Sequence, residues 1–319
     1  MARVAFPWLR PLWQQLATAA HSGRLPHGMG FTYATDFGMD ELLQQLAAFL
    51  LCQQLGQKQK ACGQCKSCQL WHAGTHPDYL RIEPETGKQI GVDAVRKVAL
   101  QVQQTASQGG NKVVQILHAD RMTVQAANAL LKTLEEPPEN TFIQLAAVRY
   151  SQLLPTIRSR LLAYTLPQPS KAEIKSWLYE HSKQAISDNL ILELALQKPL
   201  TVLQQLQDDE PVRSYLGLLC RGELELSKDL EQVHALLALL LTEIQVAHRQ
   251  VLLGELPAVI TNSISQPAAP KHLASALEEG YRRGVSLRKA LQSAGINAQI
   301  LMASWSGELT RSLRASAYN

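Results

Sequence analysis

Four of the five cysteines lie within residues 52–68: Cys52, then Cys62-Gly63-Gln64-Cys65-Lys66-Ser67-Cys68. The C-x-x-C-x-x-C run brings three thiolates onto one tight knuckle, and a tetrahedral site needs a fourth donor. Cys52, at the end of an apolar helical stretch, can supply it, and His72 and His76 compete for the same place. Four protein ligands leave no open position, so the chemistry expected is a structural zinc ion and not a catalytic metal. Four unrelated thiols would be a poor account of this spacing. Cys220, alone in an apolar stretch, reads as core.

A chain of 319 residues holds two or three domains and can bury a full core without staples. With 46% hydrophobic and 18% charged residues it excludes a disordered chain. The net charge of +4 is mild, and no Lys/Arg block of the kind that tracks phosphates appears. Nucleic-acid contact is therefore permitted without being indicated. Arg3, Arg10 and two prolines interrupt the first apolar stretch, which is no signal-peptide pattern, so a cytoplasmic location is expected. In a reducing compartment crowded thiols point to metal before disulfides. The most apolar run, Val233–Val246, carries His234, Thr242 and Glu243 and is shorter than the ~20 residues a bilayer requires. It reads as a buried helix needing partners on several sides.

Val113–Leu117 and Thr141–Val148 are short apolar runs of strand type, and between them Ala126, Ala129, Leu130, Thr133 and Leu134 share one helical face. Pro137 and Pro138 stop that helix. Two buried strands joined by a crossover helix imply a parallel sheet with helices on its faces. Further elements follow from the same periodicities: a helix over 8–21, a strand over 27–33, and helices over 42–52, 91–106 and 172–182. Ser170 and Glu173 form a capping box for the last of these. Beyond residue 208 the pattern is helical, with segments 212–219, 230–253, 271–284, 285–293 and 297–313.

The run Asn128-Ala-Leu-Leu-Lys-Thr-Leu-Glu-Glu-Pro-Pro138, followed by Ser159-Arg160, closely resembles the bacterial DNA polymerase III clamp-loader subunits of the AAA+ family. The resemblance implies an α/β, AAA+-like parallel sheet with flanking helices over residues 1–166, interrupted by a zinc module at about 52–76. A small helical lid over 167–207 and an all-α collar domain over 208–319 should follow. The Gly-rich turn usual in the lid is missing; Gln197-Lys198-Pro199-Leu200 stands there. Because clamp-loader ATPases carry a four-cysteine module at this point, the implied ligand set is Cys52, Cys62, Cys65 and Cys68.

Arg24-Leu25-Pro26-His27 is similar to the opening of that ATPase fold, in which G-x-x-x-x-G-K-[ST] should come next. Its backbone amides and lysine hold phosphates, and its hydroxyl holds magnesium. The segment in that place is Tyr33-Ala34-Thr35-Asp36-Phe37-Gly38-Met39-Asp40. Only Gly38 survives. Met39 replaces the lysine, Asp40 brings a carboxylate where a triphosphate would lie, and no lysine occurs between residues 25 and 57. The second ATPase motif, Asp-Glu at the end of the central strand, is replaced by Leu117 and His118, with Asp120 too late to serve. No ATP binding by this chain is expected.

The family's Ser-Arg-Cys motif survives as Ser159-Arg160-Leu161. Its arginine reaches toward the γ-phosphate held by a neighbouring subunit, a task suited to a permanent, planar charge. The resemblance thus implies a non-hydrolysing subunit of the DNA polymerase III holoenzyme that lends Arg160 in trans. Its partners would be the gamma/tau-type motor and delta subunits, with the sliding clamp and primed DNA reached through the complex. An active motor ATPase is opposed by Met39, Asp40, Leu117 and His118. A stand-alone zinc-containing nucleic-acid-binding module is opposed by the modest charge.

Overall fold

The computed structural model describes residues 6–55, 60–85, 88–184, 189–207, 214–225, 230–264, 267–291 and 297–314. Two compact units divide the chain, Met1–Pro169 and Ser170–Asn319.

The first unit runs α1 (Arg10–His21), β1 (Gly28–Thr32), α2 (Met39–Leu51), α3 (Lys66–His72), β2 (Tyr79–Ile82), α4 (Val92–Gln103), β3 (Lys112–Ile116), α5 (Val124–Glu135), β4 (Thr141–Ala147), α6 (Pro155–Arg158) and β5 (Leu162–Tyr164). Its five strands form one parallel sheet in the order β2-β3-β4-β1-β5. Alternation along β3 assigns the faces. Val114 and Ile116 join Val95, Val98 and Val102 of α4 and Ala126, Leu130 and Leu134 of α5 in one core. Gln115 points the other way and donates to the Leu43 carbonyl of α2 at 2.7 Å. That buried amide also donates to Gln144 Oε1 at 2.7 Å and accepts from the Tyr79 hydroxyl at 2.5 Å, whereas Gln144 Nε2 is buried without an acceptor. Buried Lys112 donates to the carbonyls of Val102 and Gln104, where the end of α4 favours a cation.

The second unit is helical: α7 (Lys171–Ser182), α8 (Asn189–Ala195), α9 (Pro199–Gln207), α10 (Tyr215–Arg221), α11 (Leu230–Leu252), α12 (Ala258–Thr261), α13 (Pro270–Ala290) and α14 (Ala298–Leu313). The Ser170–Glu173 capping box is formed. From Ser170 onward the residues expected as lid (167–207) and collar (208–319) lie in this one unit, and residues 167–169 lie in the first. The expected helix start at Val212 and helix end at Ser293 lie outside the described residues.

One expectation is corrected. Residues 271–293 do not divide at Gly284; α13 passes straight through it. Gly280 and Gly284 are contact points, since a Cβ at Gly280 would come within 2.5 Å of Leu309 Cδ1, and one at Gly284 within 2.5 Å of Leu241 Cδ2. Trp305 Nε1 donates to the Gly280 carbonyl at 3.0 Å, closing the same contact. Among the described residues no helix is long and apolar enough to cross a membrane.

The apolar helix α11 does find partners on several sides, and within it Glu243 is only 2% exposed. Its carboxylate accepts from Ser214 Oγ at 2.6 Å, Tyr215 N at 3.0 Å and Leu216 N at 2.7 Å, capping α10 from a different helix. Burial pushes this carboxyl above its ordinary value, and the three donors oppose that shift. Glu243→Ala should destabilise the protein by roughly 1–3 kcal/mol, because the Tyr215 and Leu216 amides lose their acceptor in a dry site. Urea unfolding reads this directly, and an unmoved midpoint would remove the cap from the list of stabilising contacts.

Candidate functional site

The loop from β1 to α2 occupies the place of a phosphate loop. It is a short 3-10 turn, Thr35–Phe37, closed by Gly38 in the left-handed region at φ 79°. A Cβ at Gly38 would fall 2.2 Å from the Phe6 ring, so an aromatic side chain sits directly over the one glycine retained from the motif. Trp8 Nε1 donates to the Phe37 carbonyl at 3.0 Å, anchoring the same cover. Met39 is 0% exposed and belongs to the core. Asp40 Oδ1 lies 3.6 Å from Arg81 Nη2, which also pairs with Glu83 at 2.9 Å. Burial and the Asp40 carboxylate push the Tyr33 hydroxyl well above its usual range.

At the end of β3, Leu117 is fully buried. His118 adopts φ 49° and sets its ring edge-on to Tyr33 at 4.8 Å. Asp120 is structural: its Oδ1 accepts from the Val148 amide at 3.1 Å, tying the ends of β3 and β4 together. Tyr33, which opens the first segment, and His118, at the second motif position, therefore meet.

Cys52, at the end of α2, and Cys62, Cys65 and Cys68, at the start of α3, place their sulfurs within 4.8 Å of one another. The Cys52–Cys65 and Cys62–Cys68 separations are 4.0 and 3.9 Å. A tetrahedron with metal–sulfur bonds of about 2.3 Å needs edges of about 3.8 Å, so the four sulfurs could hold such an ion. Amides of the knuckle point at the sulfurs: Cys65 N donates to Cys62 Sγ at 3.3 Å and Cys68 N to Cys65 Sγ at 3.4 Å. The Gln64 and Cys65 amides bring the Cys62 thiol down to about 6, whereas burial pushes Cys52 and Cys68 up. Four thiolates so close need a cation to coexist.

His76 has both ring nitrogens engaged elsewhere. Nε2 donates to Ser67 Oγ at 2.6 Å and Nδ1 accepts from Asp78 N at 3.1 Å. Ser67 in turn donates to the Leu51 carbonyl at 2.5 Å, so this histidine fastens the cysteine knuckle to α2 and to the approach to β2. His72 is exposed at the end of α3. Asp78 accepts from the Ser107 and Gln108 amides at 2.7 and 2.9 Å, the turning role its position suggests.

Ser159 and Arg160 form the turn between α6 and β5. Arg160 Nη1 donates to the Thr156 carbonyl at 2.9 Å and to Ser159 Oγ at 3.2 Å, and its Nη2 pairs with Glu135 Oε1 at 2.5 Å. Leu161 packs into the core beside Gly28. The start of β1 builds this turn. A Cβ on Gly28 would sit 2.8 Å from the Arg160 carbonyl, and His27 Nε2 donates to the Leu134 carbonyl at 3.0 Å, securing the last turn of α5. Sequence reasoning passed over Glu135, His27, Gly28 and Phe6. Three of them lie inside or beside quoted motifs, but nothing in the residue types says which way they reach.

A five-stranded parallel sheet with this loop after β1 and a Ser-Arg turn before its edge strand β5 defines an AAA+-like α/β unit, here followed by a helical region. A family model described as DNA polymerase III, delta subunit matches residues 8–170, more than half of the chain, and the chain belongs to that family. It is 41% identical to DNA polymerase III subunit delta' of Haemophilus influenzae over 206 residues, covering 64% of this chain and 62% of that protein. To the subunit of the same name in Escherichia coli it is 45% identical over 174 residues, covering 54% of this chain and 52% of that protein. The chain thus spans between half and two thirds of the length of these relatives. A gamma subunit-related DNA polymerase III protein from Thermotoga maritima superposes at a TM-score of 0.47 and 19% identity, over 93% of this chain and 98% of that one, a likeness too slight to add to this.

Gly28→Ala tests the construction of the turn. The added methyl meets backbone, which cannot rotate away, so a loss of about 1–3 kcal/mol is expected from overpacking. Thermal unfolding measures it; a variant as stable as the parent would show that β1 and the Arg160 carbonyl are not in this contact.

Proposed function

We propose that the chain is a non-hydrolysing delta-prime subunit of the DNA polymerase III clamp loader, a cytoplasmic assembly that places a sliding clamp on primed DNA. It has no intrinsic enzymatic activity in this reading. It stands beside gamma/tau-type motor and delta subunits, held through its helical collar, and contributes Arg160 in trans to ATP bound by a neighbour. One observation carries the reading: the phosphate loop is refilled by Phe6 over Gly38 with Met39 in the core, while the Ser159–Arg160 turn keeps its guanidinium at the surface. A chain that serves its own nucleotide needs that loop open and carrying its lysine. A chain that serves another's needs only the Ser159–Arg160 turn.

The chemistry follows from charge. Hydrolysis develops negative charge on the γ-phosphoryl oxygens, and a planar guanidinium from the adjacent subunit neutralises it without competing for the proton. At this chain's own loop the carboxylate of Asp40 stands where attraction is required, and neither a lysine nor an open amide cradle compensates. Zinc on Cys52, Cys62, Cys65 and Cys68 is supported by the all-thiolate donor set and by the engagement of both His76 nitrogens elsewhere. Its contribution is to order the module that joins α2 to α3. Treating 167–207 as a lid and 208–319 as the collar is part of the same reading.

Elemental analysis of protein purified without chelator should give one zinc per chain. Stripping it should open the segment around residues 52–76 to proteases while the parallel sheet keeps its circular dichroism, because ion binding and local folding are coupled. Full zinc occupancy in Cys52→Ala would refute the ligand set.

Calorimetric titration of Mg-ATP into the isolated chain should give no binding heat, and micromolar affinity would restore the motor reading. In the assembled complex, Arg160→Ala should leave assembly intact and lower DNA- and clamp-stimulated hydrolysis. A lost finger costs ~10³ to 10⁵ at one site, and the loss over a ring with several sites is smaller. Clamp loading at the unmodified rate by the Arg160→Ala complex would reduce the protein to a scaffold.

A further inference from the structure

The guanidinium of Arg160 is already occupied. Its Nη2 meets Glu135 Oε1 at 2.5 Å, and its Nη1 is held by the Thr156 carbonyl and Ser159 Oγ. Glu135 is the last residue of α5, and the adjacent Leu134 carbonyl is fixed by His27 Nε2, so the carboxylate is delivered to this place by a pinned helix end. The Arg160 carbonyl is fixed from the same strand, through its close approach to Gly28. Acid and base are thus brought together by one piece of backbone. The side chains remain 34% and 48% exposed, so the pair is reachable from outside and screened by water.

We propose that Glu135 is a positioning residue that parks Arg160: its carboxylate occupies the guanidinium edge that phosphate oxygens would take, and gives it up only to a more negative competitor. The inference rests on the trans role of Arg160 argued above. One carboxylate carries a single charge, whereas a triphosphate in an adjacent site carries several and accepts in a bidentate manner. An exposed carboxylate–guanidinium pair resists displacement only weakly, by a factor of roughly five at most. The contact therefore sets a threshold for engagement and does not lock the arginine away. Its removal should appear as tighter apparent use of ATP by the neighbour, with little change in turnover once ATP saturates.

The test uses the full chain assembled with motor and delta subunits, sliding clamp and primed DNA, with hydrolysis followed against ATP concentration. Glu135→Gln and Glu135→Ala should each lower KM by roughly two- to five-fold and leave kcat within about two-fold. Combining either with Arg160→Ala should give the Arg160→Ala behaviour alone. Melting profiles matching the parent's separate the KM shift from a folding effect. A kcat loss as large as that of Arg160→Ala at unchanged KM would mean that Glu135 aims the arginine, overturning the parking role. Unchanged KM in both Glu135 variants, with Arg160→Ala still impaired, would show the contact to be idle. If Arg160→Ala is itself silent, the trans role fails and the proposal falls with it.

Discussion

β1 is the element on which the rest of the first unit depends. It lies between β4 and β5, pairing in parallel with both, so its register is fixed from either side. Such a strand has no free edge and no solvated face, and whatever enters or leaves it inherits its coordinates. At its start, His27 and Gly28 fix the end of α5 and the Arg160 turn. At its end, the chain passes into the loop that Phe6 covers. The Ser159–Arg160 turn and the covered loop after Thr32 are therefore held at opposite ends of five residues of sheet.

A loop of this kind with nothing over it would leave dry surface without contacts. Aromatic side chains close it here. Phe6 meets Trp8 edge-on at 5.6 Å, Trp8 meets Phe37 at 6.4 Å, and Tyr33 meets His118 at 4.8 Å. The two segments are thus joined through the Tyr33–His118 contact. Met39 and Leu117 are core residues, and His118 is the partner of a tyrosine contributed by the other loop.

Much of this was legible in the residues themselves. The strand–helix–strand centre follows from apolar periodicity and a proline pair, the cysteine knuckle from spacing, and the α7 cap from Ser170 and Glu173. What escaped depends on contacts between residues distant in sequence. Gly284 looks like a helix break in one dimension and is a packing notch in three. Glu243 looks like an interruption of an apolar run, yet it caps α10 nearly thirty residues earlier. Glu135 reads as one of two acidic residues before a proline pair, and only the tertiary structure brings it to Arg160. For Glu243 and Glu135 residue type was a sound guide to local conformation and no guide to direction, and at Gly284 it misled on both.

The two notches on α13 have a mechanical consequence. With 21 residues at about 1.5 Å each, the helix is a strut about 31 Å long. Leu309 of α14 seats at Gly280 and Leu241 of α11 seats at Gly284, one turn apart and on separate neighbours. A slide of one turn in either direction would carry one of the two leucines off its glycine and onto Ala276 or Arg288, so the pair together sets the axial position. Sliding along the axis is blocked by steric pins in two directions, while small rotations about the contacts are not.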